Sequence, residues 1–341
     1  MNNVPFIGSV AWQGSIKVIR NSMFLKIISV HKSSFYALSD AGDVLLFQSK
    51  DVGIAPFSVV IEDYERMFDY LNLRSNTSIT ISHRGMTETD GSPVLCLALE
   101  TMPYISPAPA PVNKSNLQTG IAYIQEFLTL REQCEGRMRR VFLLNALCGI
   151  DEKKPVPKDR FCDALEIGFS RLFDALIEDF TDNTGNSVFT NNTCDSGFTG
   201  KKGGEINRIV SGLVGIGPGM TPSSDDILCG LIYCLQSVIG QCVYSNTVFA
   251  LRQSILKSAG RTTIVSSAYL RAAAMRLPFR LLDSVLLGIR MQGAQLTSSM
   301  EKLILVGSNS GGEMLLGLAL GAQLICMCNY TRRNENEHFS L

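Results

Sequence analysis

Between Met23 and Glu100 the apolar residues come in short runs, several alternating with polar ones: FLKIISVH, SFYALSD, DVLLF, FSVVIED, SITISH and PVLCLALE. A period of two places every second side chain on one face, so these runs predict strands. Turn signals at Asp40-Ala41-Gly42-Asp43 and Thr89-Asp90-Gly91-Ser92 separate them, with one helical excursion near Tyr64 to Leu73. The expected product is a mainly antiparallel barrel or sandwich. From Met102 to Val112 the chain reads MPYISPAPAPV, and its alternating prolines favour extended backbone that makes no ladder. Beyond Ser115 the period becomes helical. Phe161, Leu165, Phe169, Leu172, Phe173, Leu176, Ile177 and Phe180 recur as one helix face, and Leu117 to Ile150 reads as helices interrupted near Gly136. The fold class is α+β, a β-rich barrel or sandwich domain followed by a mainly helical one. Its expected parts are residues 1–101, a proline-rich linker at 102–114, and a helical domain at 115–328. A mobile insert rich in Asn, Thr, Ser and Gly occupies 181–204, and a polar tail occupies 329–341.

An apolar fraction of 45% supports a core in each domain, and a formal net charge of zero leaves no electrostatic footprint for nucleic acid. The one compact basic cluster, Arg137, Arg139 and Arg140, reads as a solvated helix face. The N-terminal residues show no secretory pattern. Ile227–Ile239 and Met314–Cys328 are apolar, but they are short for a membrane span and interrupted by Gln236 or Gln323, so they read as core helices. Ten scattered cysteines, among them Cys148, Cys229, Cys234 and Cys326 in apolar helices, fit a reducing compartment, and the cytoplasm is the expected location. Three histidines, His31, His83 and His338, offer neither a triad nor a metal cage, and Cys326 with Cys328 has no second pair for zinc.

One pattern occurs twice. Residues 213–232 read LVGIGPGMTPSSDDILCGLI and residues 305–319 read LVGSNSGGEMLLGLA. Each copy passes from Leu-Val-Gly through a loop of small residues to a carboxylate and then into an apolar helix, with a glycine four residues past that carboxylate. Asp226 thus corresponds to Glu313 and Gly230 to Gly317, which predicts a duplicated helix-loop-helix unit whose two helix starts face a shared space. Gly230, Gly317 and Gly321 are the expected contact between the copies.

Gly215, Gly217 and Gly219 admit positive φ, and their amides could cradle an anionic oxygen; no lysine follows them, so this is not a nucleotide P-loop. Thr221 is the expected N-cap with Pro222 at the first helical position. Asp225 and Asp226 have two readings. In one they offset the helix dipole. In the other one of them accepts hydrogen bonds from a substrate or holds a magnesium ion, the single candidate cofactor. A phosphate set directly against bare carboxylates is repelled, so the functional reading needs a metal, an arginine or an amide-bearing substrate. Ser223 lies on the same loop. Ser308, Asn309 and Ser310 are candidate caps in the second copy, followed by Gly311 and by Glu313 in the first turn. Between the copies, Thr262 and Thr263 can cap a further helix, Ser266 can face inward, and Arg261 supplies a cation. Capping alone explains each of these hydroxyls equally well.

These three segments, LVGIGPGMTPSSDD, TTIVSSAYLRAA and GSNSGGE, together resemble the AllH-type subunit family of oxamate carbamoyltransferase. The family pattern usually has glycine where Ser224 stands. The resemblance implies a subunit of a cytoplasmic complex that cleaves oxalurate with phosphate to oxamate and carbamoyl phosphate in purine-derived nitrogen use. Its expected partners are other transferase subunits and a small-molecule substrate, without nucleic acid or membrane. On this reading the glycine-loop amides hold an anionic oxygen, and Asp225 or Asp226 accepts from substrate nitrogen as the catalytic pair. Thr262, Thr263 and Asn309 orient the substrate, and Arg261 balances charge. Carbamoyl transfer needs positioning and oxyanion stabilisation more than a histidine base. The alternative is a non-catalytic scaffold or metabolite-sensing module with the same pocket.

Overall fold

The computed structural model describes residues 6–10, 23–49, 55–61, 64–71, 77–82, 85–88, 93–97, 105–135, 145, 160–182, 201–239, 245–293 and 295–328. By its contacts the chain divides into two compact units. One is Met1–Pro107 with Leu277–Asp283, and the other is Ala108–Arg276 with Ser284–Leu341.

The first unit is a closed barrel. Its strands are β1 (Phe6–Val10), β2 (Met23–His31), β3 (Ser34–Ser39), β4 (Val44–Ser49), β5 (Ser58–Ile61), β6 (Ser78–Ser82), β7 (Gly85–Glu88) and β8 (Pro93–Leu97), in the order β1-β5-β4-β3-β2-β6-β7-β8. All of them precede residue 100, so the first of the two expected sheet forms is realised. Closure comes from β1, which pairs antiparallel with β5 and parallel with β8, and it removes the open edges a sandwich would leave. Alternation decides the faces. In β3, Phe35, Ala37 and Ser39 are buried while their neighbours are half-buried. Leu25, Ile27, Phe35, Phe47, Val59, Ile61, Ile79 and Ile81 fill the interior, with the Phe35 and Phe47 rings stacked at 4.5 Å. Strand β4 is buried on both faces through Phe47 and Gln48, and the helix α1 (Tyr64–Leu71) packs against it. Gly42, at φ 87°, closes the β3–β4 turn in a conformation that side chains rarely adopt. The segment Leu277–Asp283 was not foreseen as part of this unit. Ser106 Oγ donates to Asp283 Oδ2 at 2.6 Å.

The helical elements that follow are α2 (Lys114–Glu135), α3 (Arg160–Asp182), α4 (Lys201–Leu213), α5 (Ser223–Ile239), α6 (Ser245–Ser258), α7 (Ile264–Ala274), α8 (Arg280–Met291), α9 (Gln295–Ile304) and α10 (Ser310–Met327). Helix α2 ends at Glu135, one residue before the expected interruption at Gly136. The face read along α3 is buried at Leu165, Phe169, Leu172, Phe173, Leu176 and Phe180. Two of its expected members differ: Ile177 is half-buried, and Phe161, in the first turn, is 46% exposed while the adjacent Cys162 is buried. Most of the expected insert at 181–204, the tail beyond Cys328, the basic cluster at Arg137–Arg140, and Cys148, His83 and His338 lie outside the described residues.

Helices α5 and α10 form the centre of the second unit. Almost every residue of each is buried, which is why their sequences are apolar all round rather than striped. Helix α10 is long and apolar enough to cross a membrane by length and composition alone, and 83% of it is buried inside the protein. The two helices approach closely through glycine. A Cβ on Gly230 would lie 2.1 Å from the Met314 carbonyl oxygen, and one on Gly317 would lie 2.1 Å from that of Ile227. Gly321 faces Leu231 and Cys234 in the same way. The contacts advance together along both chains, from Ile227 and Gly317 to Cys234 and Gly321, so the helices run parallel. Gln236, the polar break in α5, donates through Nε2 to the Ala273 carbonyl at the end of α7 at 2.9 Å.

Candidate functional site

Parallel packing brings the starts of α5 and α10 to the same end of the unit, and the loops before them lie side by side. Thr221 Oγ1 and Ser310 Oγ are 2.7 Å apart in a hydrogen bond that joins the two loops. The first loop turns through Gly215, Gly217 and Gly219 at φ 89°, 129° and 94°. Gly217 is also sterically required, because a Cβ there would sit 2.5 Å from the Ser223 amide nitrogen. In the second loop Gly307 has φ 62°, and Gly311 allows α10 to start against α9, since its Cβ would meet the Leu303 carbonyl.

The two adjacent aspartates occupy different environments. Asp225 is fully buried and satisfied by the protein itself. Its Oδ1 accepts from the Gly215 amide at 2.8 Å and the Ser224 hydroxyl at 3.4 Å. Its Oδ2 accepts from Thr262 Oγ1 and Ser266 Oγ, both at 2.6 Å. This carboxylate therefore ties the first loop and the start of α7 to α5. The Gly215 amide is likewise taken by Asp225, because a buried charge without donors would be far more costly than an intramolecular bond. Ser224 pins the loop from the inside: its hydroxyl accepts from the Ile216 amide at 2.9 Å. That role was missed in the sequence, where a serine beside two aspartates reads only as a helix-start residue.

Asp226 is equally buried but differently placed. Its Oδ2 has no hydrogen-bond partner, and the Thr221 and Ser310 hydroxyls, bonded to each other, stand beside the carboxyl group. Burial pushes its proton affinity well above the usual carboxylate range. The charge of Glu313 adds to this and the two hydroxyls oppose it, with Asp225 contributing a smaller upward push. Glu313, in the first turn of α10, is 2% exposed and near enough to Asp226 for its charge to act on it. One turn further along α5, burial raises the Cys229 thiol, with Asp226 and then Asp225 adding to the effect.

The other expected site residues distribute as follows. Thr221 does not occupy the cap position: the Pro222 carbonyl accepts the first helical bonds, from Asp225 and Asp226, and the Thr221 hydroxyl turns to Ser310. Proline can take that place because the cap needs its carbonyl and not its N–H. Ser223 is buried in the first turn of α5. Thr263 is the N-cap of α7, accepting from the Ser266 amide at 3.1 Å, and its hydroxyl also donates to the Met220 carbonyl. Thr262 serves Asp225 instead. Asn309 stands at the N-cap of α10, but its side chain makes no capping bond. Arg261 is exposed, and its guanidinium donates to Ser211 Oγ on α4. The amides of Gly217 and Gly219 make no such bond among the described residues, and Gly219 is exposed. Among the described residues no group of three or more His, Cys, Asp or Glu side chains could hold a metal ion. His31 bonds to Ser29 Oγ at 2.7 Å.

Fold and site together define an α+β protein with a β-barrel unit and a helical unit, the latter bringing two glycine-loop helix starts onto a buried acid cluster. Over residues 213–322 the chain matches the family model described as oxamate carbamoyltransferase subunit AllH. The match covers less than half of the 341 residues, but it contains both glycine loops, α5, α7 and most of α10. No curated protein and no solved structure matches the chain.

Proposed function

We propose that this protein is a subunit of an oxamate carbamoyltransferase-like complex and that its paired loops bind a small carboxylate-bearing or carbamoyl-bearing metabolite. The observation that carries this reading is the family match itself, whose span coincides with the loops that meet at Thr221 and Ser310. In this reading the Gly217 and Gly219 amides, with the Thr221 and Ser310 hydroxyls, hold an anionic or carbonyl oxygen at two helix N-termini. Asp225 positions the loop and does not touch the ligand. The reaction served is phosphorolysis of oxalurate to oxamate and carbamoyl phosphate, in which a phosphate oxygen bonds to the carbamoyl carbon as the carbon–nitrogen bond breaks. The leaving nitrogen takes up a proton. Donors preset around a developing oxyanion favour such a transfer. Other subunits of the complex are the partners. The free cysteines among the described residues, Cys162, Cys229, Cys234, Cys326 and Cys328, support a cytoplasmic location.

Calorimetry of the purified full chain with oxalurate, oxamate and carbamoyl phosphate tests the binding step. Thr221→Val and Ser310→Ala should each weaken the ligand that binds by about 0.5 to 1.5 kcal/mol, roughly twofold to tenfold. Wild-type protein that binds none of the three, alone or with its co-purified partners, would remove the loops from substrate recognition.

A further inference from the structure

The parallel packing of α5 on α10 sets two helix N-termini beside each other, each equivalent to about half a positive charge. Together they offset about one carboxylate. Three acidic side chains are nevertheless buried there: Asp225, Asp226 and Glu313, none more than 2% exposed. Asp225 is compensated by its four donors. Of the other two carboxyls it is Asp226 whose buried Oδ2 lacks any hydrogen-bond partner. A buried carboxylate in that position is less stable than the neutral acid. Among the described residues, the groups that act on it are neutral or acidic: the Thr221 and Ser310 hydroxyls, the Cys229 thiol one turn on, Asp225 beside it, and Glu313 on α10.

We propose that Asp226 is a proton-holding site: it sits in the folded protein as a neutral carboxylic acid at the junction of the two helix starts, and its proton is linked to anion binding on the adjoining loops. The upward push on its proton affinity from burial and from Glu313 agrees with this. The first half of the proposal stands on the acid cluster alone. The second half rests on the loops binding an anion as proposed above. A negative ligand at the loops makes ionisation of Asp226 still less favourable, and by reciprocity the proton strengthens anion binding. A carboxyl group whose folded-state proton affinity is raised contributes stability that is fully present below its unfolded pKa of about 3.9. That contribution is lost as pH rises through the folded value.

Urea unfolding of the full chain between about pH 5.5 and 9 is the direct test of this linkage. The folded-to-unfolded ratio of wild type, taken relative to Asp226→Asn, should fall by up to about tenfold per pH unit, because asparagine mimics the neutral acid and cannot ionise. Glu313→Gln should move that fall to lower pH. A relative ratio that stays flat throughout would show Asp226 already ionised and overturn the proposal. If Asp226→Asn does not fold, infrared spectroscopy of the wild type decides: a protonated-carboxyl C=O stretch at pH 7 is expected, and its absence overturns the proposal. For the linked half, titration with oxamate at the upper end of the pH range where the unfolding ratio falls, where Asp226 is partly ionised, in buffers of different ionisation enthalpy should show proton uptake with wild type and none with Asp226→Asn. Oxamate binding without proton uptake refutes the linkage. No oxamate binding at any pH counts against the loop reading, and the unfolding series still decides where the proton sits.

Discussion

The two glycine loops solve the same geometric problem with different means. The first is longer by five residues between its glycine and its carboxylate, uses three positive-φ glycines, and is held from within by Asp225, Ser224, Thr262 and Ser266. The second turns on Gly307 and closes against α9 through Gly311, and its N-cap side chain makes no capping bond. A long loop bearing a buried charge needs many donors to stay in one conformation, whereas a short one is fixed by steric closeness. What the two loops share, a first-turn acid and a glycine four residues on, lies where α5 and α10 meet. The common features therefore make the interface, and the differing ones hold each loop in place.

The comparison can be broken most severely at the shared glycine. Gly230→Ala should cost about 3 kcal/mol or more, because the new methyl meets backbone on α10 and no side chain can rotate away. Gly212→Ala, in open space on α4, should be neutral or stabilising by about 0.5 to 1 kcal/mol in the same urea titration. The differing part is tested next. Asp225→Asn presents an amide N–H₂ to groups that are themselves donating, and it should lower stability by about 2 to 4 kcal/mol. The neighbouring Asp226→Asn should do no such harm at pH 8, so a matched loss in both would erase the distinction drawn between the two aspartates. The smallest effect is expected at the cap of α7: Thr263→Ala should cost about 1 kcal/mol in thermal unfolding, with the remainder of the loop unchanged.

Much of this arrangement was readable from local pattern. Apolar runs located β2 to β6 and β8 but not β1, which closes the barrel, or the short β7, and Gly230, Gly317 and Gly321 announced a close helix crossing, because small residues at helical spacing in an apolar stretch let backbones approach. What was not readable is how Asp225 and Asp226 divide their work. Adjacent residues on a helix point about 100° apart, so one faces the loop and α7 while the other faces α10, and no property of the two letters says which. The same limit explains Thr221 and Arg261. Each has a partner, Ser310 or Ser211, supplied by a helix distant in sequence, and local capping rules cannot anticipate it. Likewise Leu277–Asp283 reads as an ordinary helix approach until tertiary contacts group it with the barrel unit.

The glycine contact between α5 and α10 also has a consequence in time. Ile227 and Gly317 are separated by roughly ninety residues, so the interface cannot close before α10 has been made, and contacts so distant in sequence form slowly. During synthesis α5 leaves the ribosome with its apolar surface uncovered and waits for α10 to follow. The acid cluster comes into being at that late docking step, so before it closes Asp226 and Glu313 are ordinary solvated carboxylates on separate stretches of chain. Refolding of this protein should accordingly take up a proton near its end and not at its beginning, a signature that a pH indicator in a stopped-flow experiment would register.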